Sequence, residues 1–181
     1  VEVLENRYRS RIEALERSLE QIKESGDTAH FETDPEVWSL VGSNAITTRA
    51  KRLIDDATTE ALLLIGDRGA FSDGLSDRLL SASDRDVDVV VGTGGDILPD
   101  RFTEGLSGSV VFYSDLEWLH RHDDRHSASI GKLLLVDNEY LLASTICRSN
   151  GAVREHAVCG NGTNNGLVLT LRQLLLYRFG I

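Results

Sequence analysis

The chain has 181 residues, of which 41% are hydrophobic, and its 29 acidic and 19 basic residues give a formal net charge of −10. This hydrophobic content is enough for a domain with its own core and excludes an extensively disordered chain. The negative charge excludes the basic surface that binds nucleic acid non-specifically, because an acidic surface repels phosphate groups.

Only three of the basic residues are lysines, at positions 23, 51 and 132. Such an acidic, lysine-poor composition is typical of salt-loving organisms, since at molar salt the Debye length is about 3 Å and self-repulsion is small. No apolar run approaches the roughly 20 residues that span a bilayer. The N-terminus also lacks the apolar stretch of a signal peptide. We therefore expect a cytoplasmic protein without a membrane partner.

Residues 1–26 predict one long helix, because no proline occurs in them and the first glycine is Gly26. Five apolar side chains recur at alternating spacings of four and three: Tyr8, Ile12, Leu15, Leu19 and Ile22. This is the a/d spacing of a coiled coil, so we expect two copies to pair as a homodimer. The alternative is that the stripe packs on the chain's own domain, since about three heptads are few for a coiled coil.

Residues 27–35 predict a linker, and strand and helix patterns alternate from residue 36 to 181. Strands are predicted at 36–41, 61–65, 87–91, 110–113 and 157–158, and a hairpin at 127–136 and 140–146. Helices are predicted at about 44–57, through Leu75, Leu79 and Leu80, and at 167–179. This order indicates an α/β fold in which helices flank a mixed sheet.

The hairpin carries Lys132 and Asp137 at the spacing of the phospholipase D signature, H-x-K-x-x-x-x-D. Ile130 stands where the signature has its histidine, and residues 144–147 replace the G-S-x-N that would follow. In that family the histidine attacks phosphorus covalently, and isoleucine has no nucleophilic atom. We therefore expect a protein that is not an enzyme.

With the helix before it, the chain resembles the C-terminal half of TrmB-like archaeal regulators, particularly the haloarchaeal members. The resemblance rests on the helix from Val1, the segment VWSLVGSNAITTRAKRLIDDA, the ALLLIGDRG strand and turn, the degenerate lysine motif and the HAVCGNGTNNGLVLTLRQLL ending. The resemblance implies a coiled-coil helix followed by a degenerate phospholipase-D-like domain that senses a sugar or a phosphorylated sugar. It also implies DNA binding through an N-terminal winged helix-turn-helix that this sequence lacks. The start inside a helix and the lack of methionine likewise suggest a piece of a longer protein.

Candidate ligand-binding residues follow the predicted strands, since pockets in such sheets lie outside the carboxyl ends. Asp67 and Arg68 follow one strand and Thr93 the next, and Arg68 suits a carboxylate or a phosphate. Ser43 is predicted to cap a helix whose free N–H groups attract anions. The alternative is that Arg68 pairs with a neighbouring acid and that Ser43 only caps.

Lys132 interrupts an apolar strand, and a buried lysine needs a partner or a cavity. We expect it to belong to the ligand pocket. The alternative is an edge lysine that reaches solvent.

Metal and nucleotide cofactors are not expected. The segment HRHDDRH holds His120, His122 and His126, which are possible zinc or manganese ligands, but its spacing matches no strong template and its polarity suits a solvated loop. The GNGTNNG segment departs from G-x-G-x-x-G and predicts a turn.

Three functions remain open. The first is the effector-sensing and dimerising part of a regulator. The second is a phosphodiester hydrolase in which His156 approaches the site from a neighbouring strand. The third is a dimerisation scaffold that binds no small molecule.

The coiled-coil hypothesis predicts that the chain is a dimer and that Ile12→Asp combined with Leu19→Asp makes it monomeric, because charges would enter the a/d stripe. Light scattering in high salt measures the mass. An unmodified chain that is already monomeric would contradict the hypothesis.

Overall fold

A computed structural model describes residues 36–93, 110–112, 128–149 and 151–179. The described strands are β1 (Glu36–Val41), β2 (Glu60–Ile65), β3 (Asp88–Thr93), β4 (Val110–Phe112), β5 (Ala128–Val136), β6 (Tyr140–Ser149) and β7 (Ala152–Asn161). The described helices are α1 (Ser43–Asp56), α2 (Asp73–Ser83) and α3 (Gly166–Phe179), and a short 3₁₀ turn spans Arg68–Ala70. The mixed α/β class predicted from the sequence is confirmed.

The seven described strands form one sheet in the order β1-β7-β6-β5-β2-β3-β4. Strands β2, β3 and β4 are parallel, and all other neighbours are antiparallel. Strand β2 lies between β3 and β5 and reads EALLLI, with every residue after the glutamate buried. Such a continuous apolar run is expected because helices cover both faces of this part of the sheet.

Each face of the sheet has its own hydrophobic cluster. On one face, residues such as Leu63, Ile65 and Leu134 pack with Ile46 of α1 and Leu79 of α2. On the other face, a second cluster lies beneath α3: Leu62, Leu64, Leu133, Leu135, Leu141, Val168 and Leu175. The domain therefore has three layers, with α1 and α2 on one side of the sheet and α3 on the other.

Most predicted elements are found close to their predicted bounds, and two differences are informative. The last strand was predicted at 157–158 but extends over Ala152–Asn161. Helix α1 begins at Ser43, its N-cap is Gly42 with φ 98°, and no side chain makes a capping hydrogen bond. The prediction that Ser43 caps this helix is therefore wrong. The predicted coiled coil and linker, residues 1–35, lie outside the described residues.

None of the three described helices has both the length and the apolar character that a bilayer crossing requires.

The β5–β6 hairpin is tied to the α1–β2 connection through Asp137. Asp137 and Asn138 have φ values of 51° and 58°, and the Glu139 N–H donates to the Val136 carbonyl at 3.0 Å. Short polar residues tolerate this left-handed conformation.

The Asp137 carboxylate accepts hydrogen bonds from the backbone N–H groups of Thr58, Thr59 and Glu60 at 3.0, 2.8 and 3.1 Å. The two threonine hydroxyls also donate to it, at 3.0 and 2.8 Å. Partial burial raises the pKa of Asp137, but the hydrogen bonds from Thr59, Glu60 and Thr58 outweigh burial and hold it below the ordinary 3.8.

Asp137→Asn should lower the free energy of unfolding by about 1–2 kcal/mol at neutral pH, because the amide loses charge-assisted acceptors at a site partly open to solvent. The folded-state pKa is depressed, so this stabilisation is present above about pH 4 and is lost as pH falls through the folded value. Urea unfolding of both proteins at neutral and at acid pH measures it.

The matched control is Asp86→Asn, because Asp86 also has a positive φ, 63°, but makes none of these hydrogen bonds. An equal loss in both variants, or a loss that does not shrink in acid, would contradict the role of Asp137.

Candidate functional site

The polar side chains predicted to bind a ligand collect where β2 and β3 end. Register places Ile65 of β2 between Thr93 of β3 and Lys132 of β5. Paired residues on neighbouring strands project to the same face, so Thr93 and Lys132 both face the α1–α2 layer, roughly 10 Å apart across two strand spacings. The candidate site is this end of the sheet.

Lys132 is the largest fully buried side chain on this face, with no exposed area. Its Nζ lies 2.9 Å from Oε1 of Glu155 on β7, which is 1% exposed. Ser144 of β6 bridges them, because its hydroxyl donates to Glu155 Oε1 at 2.8 Å and accepts from the Lys132 N–H at 3.0 Å. Lys132 lies on an internal strand and has a partner, so the edge-lysine alternative is excluded.

Two opposite effects act on the pKa of Lys132. Burial lowers the pKa of Lys132, while the hydrogen bond and the charge of Glu155 act to raise it, and burial is the larger effect. The second carboxylate oxygen, Glu155 Oε2, is buried without a hydrogen-bond partner among the described residues. Burying either side chain without the other would be strongly unfavourable, so Lys132 and Glu155 depend on each other.

A β-bulge separates Lys132 from the residue predicted to replace the catalytic histidine. Ile130 pairs with Thr145 and Leu133 with Ala143, so one strand has an extra residue between them. Ile130 packs against the cluster beneath α3, on the opposite face from Lys132. Ile130, which stands at the histidine's position in the motif, therefore does not share a face of the sheet with Lys132.

Gly131, within the bulge, has no room for a side chain. A Cβ on it would lie 2.6 Å from Ser144 Oγ, so glycine lets Ser144 reach the backbone of β5.

Asp67 is engaged in a second ion pair, at the rim of the site. Its carboxylate lies 2.7 Å from Arg148 of β6 and accepts from the Gly69 N–H at 2.8 Å. Ser129 donates to it at 3.4 Å. The hydrogen bond from Arg148 is the main cause that lowers the pKa of Asp67 below 3.8.

The remaining predicted ligand residues are placed differently from one another. Arg68 is exposed in the turn after β2 and forms no ion pair with any residue in the described ranges, so the predicted pairing with a neighbouring acid is not seen there. Thr93 is fully buried, and its hydroxyl has no partner among the described residues. Ser43 lines a separate cavity of about 260 Å³ with Glu155 and His156. The structure thus places Lys132, Thr93, Asp67 and Arg68 at the same end of the sheet, whereas Ser43 lines a different cavity.

The two motif residues do not meet. Asp137 bonds the loop before β2, whereas Lys132 pairs with Ile65 at the end of β2. Five residues of extended chain separate them by roughly 17 Å. The motif spacing therefore brings no carboxylate to Lys132.

His156 does not reach Lys132. It pairs with Val41 and Thr145 and alternates with Glu155, so its side chain projects from the other face of the sheet. Its exposed position there leaves the hydrolase hypothesis without the nucleophile that the sequence had suggested.

Sequence reasoning missed Glu155, Arg148 and the bridging role of Ser144. Glu155 could have been found from the sequence, because Glu155, Ala157 and Cys159 occupy alternate positions of β7 that face the interior. The strand had been predicted too short to include it. Arg148 carries no comparable signal, since an arginine near the end of a strand reads as a solvated residue.

No group of three potential metal ligands occurs in the parts of the chain that the structure describes. His120, His122 and His126 lie outside the described residues, so the expectation that this loop binds no metal stays a prediction.

No protein-family model and no curated protein matches this sequence. Among solved structures, the archaeal chromatin protein TrmBL2, whose structure shows a novel mode of DNA binding, aligns with 99% of this chain at 19% identity and a TM-score of 0.54. This chain spans 65% of the TrmBL2 chain.

Two bacterial proteins are similar in fold to this chain. The phospholipase D family member Nuc from Salmonella typhimurium aligns with 81% of this chain and 95% of its own, at 14% identity and a TM-score of 0.58. NucT from Helicobacter pylori aligns over 81% and 97%, at 9% identity and a TM-score of 0.56. These likenesses show that the fold is phospholipase-D-like, as the sequence resemblance implied.

Lys132→Met should cost about 3–5 kcal/mol of unfolding free energy, because Glu155 would stay buried without its partner. Lys132→Met combined with Glu155→Leu should recover most of that loss, since an apolar pair of similar volume needs no counter-charge. Chemical denaturation of the single and double variants gives both values.

Arg78→Met provides the control, because it breaks the exposed Arg78–Asp55 pair at 3.3 Å, which is worth at most about 1 kcal/mol. A double variant no more stable than Lys132→Met would show that the pair is not the source of the loss.

Proposed function

We propose that residues 36–181 are the sensing domain of a transcription regulator, built on a phospholipase-D-like fold that no longer hydrolyses phosphodiesters. The observation that carries this proposal is the Lys132–Glu155 pair. A lysine without exposed area, 2.9 Å from a carboxylate, has no charge to offer to a substrate phosphate. The spacing of the signature is retained, but its residues serve the fold.

Three further placements support the absence of catalysis. Ile130 carries no nucleophilic atom and faces the α3 layer. His156 projects away from Lys132. Asp137 is used by the backbone of residues 58–60. Covalent phosphoryl transfer needs a nucleophile beside a cation that holds the phosphate, and the described residues bring no such pair together.

A regulatory role is supported by the likeness to TrmBL2, which extends over nearly the whole chain. The net charge of −10 argues that the acidic domain itself does not bind DNA. We assign DNA binding to a winged helix-turn-helix outside this sequence and dimerisation to the a/d stripe of residues 8–22.

The effector is a small sugar or phosphorylated metabolite, and the site's rim favours an anion. Arg68 is exposed beside the strand ends and has no ion-pair partner in the described ranges, so its guanidinium is open to a ligand.

A scaffold without a ligand is the second candidate, and one observation favours it. Lys132 and Asp67, two of the residues predicted to bind the effector, are already paired within the protein by Glu155 and Arg148. A scaffold needs no open polar groups, whereas a sensor does.

A thermal-shift screen with sugars and sugar phosphates should find a compound that raises the melting temperature as its concentration rises. A ligand that binds only the folded state at about 100 times its Kd adds roughly 2.7 kcal/mol of stability. The same chain should not hydrolyse bis(p-nitrophenyl) phosphate.

Hydrolysis that disappears in Lys132→Met combined with Glu155→Leu would show that the site is catalytic after all. A screen in which no compound shifts the melting temperature would favour the scaffold over the sensor.

A further inference from the structure

A groove of about 620 Å³ lies between the outer strand β1 and helix α1, and Lys132 does not line it. We call it the α1 groove. Its polar and aromatic lining includes Trp38, Asn44, Thr48, Arg49, Arg52 and Asn161. The volume falls in the range of about 300–1,000 Å³ that is usual for small-molecule sites.

The sequence of α1 places hydrogen-bond donors along one side of the helix. Asn44, Thr48 and Arg52 follow one another at intervals of four residues, so their side chains stack on one face. Arg49 stands one residue after Thr48 and also lines the groove. The helix therefore presents two guanidinium groups, an amide and a hydroxyl to the same space.

Neither guanidinium in the groove has an acidic partner among the described residues. Within the ranges that the structure describes, Arg49 and Arg52 form no ion pair or side-chain hydrogen bond, and Arg49 Nε is buried without an acceptor. Arg148 and Arg78, by contrast, each bind an aspartate. Two neighbouring arginines without a described acidic partner are unexpected in a chain with 29 acidic residues. A buried donor without an acceptor is unfavourable until something supplies one.

Contacts within the groove also restrict the side chains that line it. The Arg49 guanidinium carbon lies 5.2 Å from the centroid of the Trp38 ring, an attractive cation–π arrangement that restricts the arginine. Asn161 Oδ1 accepts from the Glu36 N–H at 2.8 Å, which leaves the Asn161 amide group as a further donor. Glu36 is the acidic residue in this lining, and the two arginines outweigh its charge.

We propose that the α1 groove binds the phosphate of a small phosphorylated metabolite through Arg49 and Arg52. A phosphate offers the charge and the acceptor oxygens that two guanidinium groups bind best. The remaining amide and hydroxyl groups then face the ligand's polar body. This inference rests on the proposed sensing function and places the anion in the α1 groove rather than beside Lys132.

The α1 groove is lined in part by Glu36, the first residue of β1. The backbone of Glu36 is held on both sides, by Asn161 at 2.8 Å and by the Asn165 amide at 2.9 Å. A ligand that engages Asn161 therefore contacts a side chain that holds the backbone of Glu36 in place.

Trp38 provides the readout. The chain has two tryptophans, so Trp118→Phe leaves Trp38 as the sole indole. Titration of this protein with glucose 6-phosphate, inorganic phosphate and glucose should give a saturable fluorescence change with the two phosphates and none with glucose. In the same background, Arg52→Gln should weaken glucose 6-phosphate binding about tenfold or more, the effect of losing one charge-assisted hydrogen bond.

Arg78→Gln is the matched control, because it removes the same charge from an exposed arginine outside the groove and should leave the affinity unchanged. Arg49→Gln is a second variant, with circular dichroism as the check of its fold. Equal weakening by Arg52→Gln and Arg78→Gln, or no response to either phosphate, would overturn the proposal. If a compound from the thermal-shift screen stabilises wild type and Arg52→Gln equally, the sensing function stands and the assignment of this groove is wrong.

Discussion

A lysine with no exposed surface lies in the middle of a seven-stranded sheet, and the neighbouring strands supply its hydrogen-bond partners. Glu155 supplies the counter-charge from β7 and Ser144 the bridge from β6, so three adjacent strands meet at one polar point. Shifting β7 by one residue would turn Glu155 to the opposite face and leave Lys132 alone. The pair therefore acts together with the buried Ala157 and Cys159 of β7 in selecting this register.

The same constraint gives the two residues of the signature structural roles that do not depend on catalysis. Lys132 and Asp137 are both needed by the fold, one through Glu155 and the other through the backbone of residues 58–60. Their spacing follows from the length of β5, which carries them to opposite ends of the strand. The likeness to Nuc and NucT is one of fold. Arg49 and Arg52, in contrast to Lys132, have no ion-pair partner among the described residues.

Hydrophobic periodicity predicted the sheet, the hairpin and the three described helices, because burial on two faces leaves a clear pattern in segments such as ALLLI. It did not predict the site's partners. Glu155 was missed because its strand alternates exposed and buried residues from Arg154 onward, and only the apolar end was recognised. The bulge at Gly131 was invisible for another reason. It depends on how β5 and β6 pair, and a single strand's sequence does not specify that pairing.

Among the described strands, the outer strand β1 pairs with β7 alone, so its partners lie more than a hundred residues later in the chain, as in Glu36 and Asn161. Contacts this distant in sequence carry a large loop-closure entropy and form late in folding. During synthesis β1 has no described partner strand until β7 has left the ribosome. This edge of the described sheet is therefore the last to close.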